Sequence, residues 1–219
     1  MNIMVWTLLP LLVMALCWHE YFVLRGKNRR MLRIGFKCTA TLMAGVTAFT
    51  GLLAAGEMPL LSPVFWGIMF CMLGDGLLAI HFVSGMAAFG IAHFCLIGWI
   101  YGLYGMTGGI APVTLVIWVL AYAGTVWAFR GHIRKLGKAK IAFLLYPAVL
   151  MAMAAMAATF PFRFGLRAWS IAAGGVLFAV SDLFVAKGVF SGISLAWDKF
   201  ALAIYYLAVY CFALTMWLL

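Results

Sequence analysis

The stretch Gly74–His93, GDGLLAIHFVSGMAAFGIAH, decides how the chain is read. It sets Asp75, His81 and His93 in a run otherwise apolar enough for lipid. Further along, Gly174–Lys187, GGVLFAVSDLFVAK, places Asp182 in the same kind of setting. A carboxylate in hydrocarbon costs roughly 3 kcal/mol or more on insertion scales, so it is rare unless it faces a bundle interior and has a task. The chain has five Asp and Glu residues in all, and two of them stand in these runs.

Working outward, the rest of the sequence fits the same setting. It is 68% hydrophobic and 9% charged over 219 residues, against about 45–50% and about 25% in a soluble domain. The mean hydropathy is +1.14. Apolar runs of about 20 residues suit membrane helices and not barrel strands, which would alternate. The expected fold is all-α, a polytopic membrane bundle of eight transmembrane helices in one integral-membrane domain over 1–219. The helices are expected near 4–24, 34–55, 63–81, 85–104, 111–129, 141–159, 168–187 and 197–218. A tight turn is expected at Ser84-Gly85, a loop at Thr107–Pro112, and an interfacial connection at Phe160–Arg167.

The net charge of +10 invites a nucleic-acid reading, but its distribution argues against one. Ten of the 15 Lys and Arg residues fall in two short stretches, Arg25–Arg33 and Arg130–Lys140, each between two apolar runs. Short basic loops mark the cytoplasmic side of a membrane and can touch anionic lipid. Both follow odd-numbered helices, so one topology satisfies both, with the N- and C-termini outside the cytoplasm. The expected setting is a bacterial inner membrane. The five cysteines lie in apolar runs without CxxC spacing and read as small buried hydrophobes.

That topology gathers the scattered polar residues. Helices 3 and 7 run inward and meet Asp75 and Asp182 about two-thirds of the way along. Lys37 lies early in helix 2, Tyr146 early in helix 6, His93 mid-way in helix 4, and Tyr205-Tyr206 mid-way in helix 8. At about 1.5 Å rise per residue, all reach the middle or the cytoplasmic half of the bilayer. One polar cavity, open toward the cytoplasmic leaflet, is expected. Gly67–Asp75 (GIMFCMLGD) and Gly174–Asp182 (GGVLFAVSD) also align without a gap, four helices apart. A parallel repeat of four helices plus four would leave such a match. Simpler roles stand beside these: Lys37 can snorkel, His93 can bond a backbone carbonyl, and the tyrosines can pack.

At these residues the chain resembles the YhhN-like lysoplasmalogenases, in length, helix count and order. The specific parts are Gly74-Asp75 with Gly90 and His93 in AAFGIAH, then LFAVSD with Ser181 and Asp182, and the Tyr205-Tyr206 pair. Lys37 also fits, although Cys38 follows it where proline is common, and no glutamine follows the tyrosine pair. The resemblance implies hydrolysis of the vinyl ether of a lysoplasmalogen; no cofactor or metal is expected. Asp75 and Asp182 would be catalytic, and Lys37, His93, Tyr146, Ser181, Tyr205 and Tyr206 would contact the lysophospholipid.

The residues suit that chemistry on their own terms. A vinyl ether is cleaved by protonating its β-carbon, which leaves an oxocarbenium ion for water to attack. Two neighbouring buried carboxyls can divide this work, one holding a proton and the other a charge. Replacing either by Asn is expected to abolish turnover while sparing the fold. Two other classes compete: a proton-coupled transporter using the same Asp and His residues, and a metal hydrolase that would need about three ligands converging from Asp75, His93 and Asp182.

Overall fold

The computed structural model describes residues 3–105, 110–137, 140–165 and 168–219. Lipid offers backbone groups no water, so a spanning segment must satisfy its own N–H and C=O groups, which a helix does. Among the described residues, eight helices are long and apolar enough to cross a membrane. They are α1 (Ile3–Val23), α2 (Arg30–Ala54), α3 (Pro63–Ile80), α4 (Phe82–Gly105), α5 (Pro112–Ile133), α6 (Lys140–Thr159), α8 (Trp169–Ser191) and α9 (Leu195–Leu218). A one-turn helix α7 (Pro161–Phe164) follows α6. Proline opens α3, α5 and α7, where its missing N–H would have had no partner in any case. Gly192 closes α8 with a φ of 72°, a left-handed turn that a Cβ disfavours.

The outer faces carry large apolar side chains such as Leu8, Leu12, Leu115 and Leu120. Exposed bands of this kind belong against lipid tails. The inner faces are built from small residues, because helices associate in lipid by close packing. Ala40, Ala44, Ala48 and Gly51 are buried on α2, and Gly51 lies against the Met216 backbone of α9. Gly174 lies against the Ala208 carbonyl in the same way. The protein is an integral membrane helix bundle.

The neighbour pattern repeats. α1, α2, α3 and α4 pack in chain order, as do α5, α6, α8 and α9. The two groups meet where α2 touches α9 and where α6 touches α4, the corresponding pairs. α5 stands apart, packed mainly on α6.

Several expected boundaries need correction, among them the ends of α5 and α8, which run a turn past 129 and 187 to Ile133 and Ser191. α2 begins at Arg30, a turn earlier than the expected start near 34. The charge of RGKNRRMLR suggested a loop, yet Arg is a good helix former. The break between α3 and α4 falls at His81 (φ −143°, ψ 114°), not at Ser84-Gly85. The His81 ring caps α4, its Nδ1 accepting from the Ser84 N–H at 3.3 Å, and Ser84 Oγ donates back to the His81 carbonyl at 2.8 Å. Gly85 lies inside α4, where a Cβ would run into the Leu78 backbone. It is there for close packing. Thr107–Gly109 of the expected loop and 166–167 of the expected connection lie outside the described residues.

Candidate active site

Asp75 and Asp182 line one cavity, which runs from mid-bundle toward the end where α1, α3, α5 and α8 finish and the basic clusters lie. Its volume, about 170 Å³, is more than ten times the ~15 Å³ that one enclosed water needs. Lys37, Tyr146, Ser181 and Tyr205 line it as well. Apolar walls come from Leu78, Met86, Phe89, Val126 and Phe129.

The two carboxyls sit in different company. Asp75, on α3, is completely buried. Its Oδ1 is 3.0 Å from the Lys37 ammonium. Its Oδ2 accepts from Thr41 Oγ1 at 2.5 Å and from the Tyr205 hydroxyl at 2.8 Å. One cation and two donors suit a carboxylate anion. Asp182, on α8, keeps 15% of its side chain exposed. Tyr146 donates to its Oδ2. His93 Nε2 lies 3.2 Å from the Tyr146 oxygen and 4.0 Å from Asp182 Oδ2. Since the Tyr146 proton goes to Asp182, the network assigns the His93 proton to Nε2, donating to Tyr146. His93 is fully buried, and its Nδ1 has no hydrogen-bond partner among the described residues.

The helices explain the pairing. Asp75 is held from α2 and α9, Asp182 from α6 and α4. These are corresponding helices of the two four-helix groups. The sites are alike in placement and unlike in chemistry, since Lys37 and Tyr205 face Asp75 where Tyr146 and His93 face Asp182.

The remaining candidates separate. Of the tyrosine pair, Tyr205 faces the cavity, while the Tyr206 hydroxyl donates to the Lys37 carbonyl at 3.4 Å and does not line it. Ser181 lines the cavity but gives its proton to the Ala201 carbonyl at 3.0 Å, tying α8 to α9. His93 stands behind Tyr146 and touches the cavity through it. His81 is exposed at the α3–α4 break. Thr41 was missed by the sequence reading, though a hydroxyl one turn after Lys37 in an apolar run is a visible signal. Asp198, in the first turn of α9, pairs with Arg25 at the cavity mouth. Among the described residues no three His, Cys, Asp or Glu side chains converge as a metal site would require.

The sequence model of the YhhN family matches residues 32–216, which takes in every residue of both carboxyl settings. No curated protein and no solved structure matches the chain. The match covers most of the sequence, and the chain belongs to the YhhN family.

Proposed function

We propose that this member of the YhhN family hydrolyses the vinyl ether bond of a lysoplasmalogen, giving a fatty aldehyde and a glycerophospho-choline or -ethanolamine. One observation carries the reading: two carboxyls share a cavity, one facing a lysine and two hydroxyls, the other a phenol backed by an imidazole.

In this mechanism Asp182 is the acid. It carries its proton on Oδ1, the oxygen that Tyr146 does not engage. The alkene electrons take that proton at the β-carbon, and the ether oxygen shares the positive charge left on the α-carbon. The Asp75 anion stabilises this cation, the electrostatic contribution that often dominates catalysis. Water then adds to the α-carbon and returns a proton to Asp182. The hemiacetal collapses as its C–O bond to glycerol breaks, its hydroxyl loses a proton and the glycerol oxygen gains one. Glycoside hydrolysis divides two carboxyls in a similar way around an oxocarbenium ion. The apolar walls suit the alkenyl chain, and an integral membrane bundle suits a substrate dissolved in lipid.

The test is direct. Purified protein given 1-alkenyl-lysophospholipid should release free aldehyde, and Asp182→Asn should release almost none. Uptake of intact lipid into sealed vesicles without aldehyde would favour transport instead.

A further inference from the structure

A second cavity opens beside the first, at the basic end of α2, between Tyr21, Arg30, Arg33, Lys37, Leu78 and Ala79. Its lining holds three cations and no carboxylate among the described residues. Arg30, Arg33, Lys37 and Thr41 follow one another at three- and four-residue spacing, so they share one face of α2. That face leads over about 12 Å from Arg33 to Thr41, the residue that bonds Asp75. Tyr21, Lys37 and Leu78 line both cavities.

The cations are only partly engaged. Arg30 donates to the Ala79 carbonyl at the end of α3. The Arg33 guanidinium lies 5.9 Å from the Tyr21 ring centroid. Its Nε is buried and has no hydrogen-bond partner among the described residues. A buried N–H without an acceptor is unfavourable, and a planar guanidinium is shaped to meet phosphate oxygens with two parallel donors. The ammonium of Lys37 is already 3.0 Å from Asp75.

We infer that this second cavity binds the phosphodiester of the substrate, with Arg33 as its principal ligand and Arg30 and Lys37 as flanking charges. The inference rests on the lysophospholipid reading above and specifies where the head group sits. The phosphate binds outside, the glycerol passes Lys37, and the vinyl ether reaches the two carboxyls. A phosphate near Lys37 also draws its ammonium toward the head group. The Asp75 charge is then least compensated when substrate is bound and the cation must form.

A saturated 1-O-alkyl-lysophosphocholine has no alkene to protonate and reports binding alone. Titrated calorimetrically into protein in neutral detergent, it should bind Arg33→Gln about tenfold or more weakly than wild type. Arg30→Gln/Arg33→Gln should be weaker still. Phosphate-free 1-O-alkylglycerol should bind wild type and Arg33→Gln alike, which also shows that the variant is folded. Lys135→Gln, an exposed cation of the other cluster, should match wild type. Equal affinity of wild type and Arg33→Gln for the alkyl-lysophosphocholine would overturn the inference. So would loss of that affinity in nanodiscs containing phosphatidylglycerol, because bulk anionic lipid would then own the site. Arginine-dependent binding without aldehyde release from the alkenyl lipid would refute the hydrolase and keep the phosphate site. Aldehyde release with an unchanged KM in Arg33→Gln would do the reverse.

Discussion

Asp75 and Asp182 stand in runs otherwise apolar enough for lipid, and the cost of placing a carboxyl there made both legible from sequence alone. What surrounds them was not. Lys37 near a helix start reads equally well as a snorkelling residue, and only the fold turns it onto Asp75 at 3.0 Å. This changes an expectation about stability. Sequence alone suggested that Asn at either position would spare the bundle. Asp75→Asn would instead strand a largely buried ammonium, a loss of about 3–5 kcal/mol when one partner of a buried pair is removed. Asp182→Asn breaks no such pair and should leave thermal unfolding in detergent nearly unchanged. Lys37→Met combined with Asp75→Asn should recover most of the lost stability, and a failure to recover would mean that the pair is not what holds Lys37 in place. Turnover separates from stability. Both Asn variants should lose about 10²–10⁴ in rate, the usual worth of a positioned acid for Asp182 and a comparable electrostatic stabilisation for Asp75, and the double variant should be little worse than either alone. Tyr146→Phe keeps the ring but removes the hydroxyl between His93 and Asp182, so kcat should fall by at least tenfold with KM little changed.

At the scale of helices, the apolar runs were readable because length and hydropathy alone define a span. Boundaries were less so, since charge masked the first turn of α2 and a Ser-Gly pair imitated a turn. The glycines show the reason: their spacing does not reveal which of them touch another backbone. Gly85 faces the Leu78 backbone of α3, whereas Gly90 has nothing within 4 Å of an added Cβ. Gly85→Ala should therefore force α3 and α4 apart and destabilise by about 1–3 kcal/mol. Gly90→Ala should be neutral or raise stability by up to about 1 kcal/mol through helix propensity. Melting temperatures of the two variants check this, and equal effects would mean that the α3–α4 hairpin is not tightly packed. The link from Tyr146 to His93 was beyond sequence reading for a related reason. It joins α6 to α4 across 53 positions, and no local pattern announces a contact that only packing creates.

Across the whole molecule, the described residues of the two basic clusters lie at one end of the bundle and both cavities open toward that end. Positive charge is retained on the cytoplasmic side, so a reporter fused after Leu219 should be found outside the cytoplasm. A cytoplasmic reporter would place the cavities on the opposite leaflet. The repeated neighbour pattern explains how one bundle brings two carboxyls to one space, and it was visible in sequence only as the short match between Gly67–Asp75 and Gly174–Asp182. The central claim, that a carboxyl of this bundle protonates carbon, meets its most direct test in heavy water. Alkenyl-lysophospholipid is cleaved in D₂O, the aldehyde is reduced at once to stop exchange, and the alcohol is analysed by mass and NMR. One solvent deuterium on the carbon next to the former carbonyl, with cleavage slower than in ordinary water, is the expected result. An aldehyde carrying no solvent deuterium there would contradict the account.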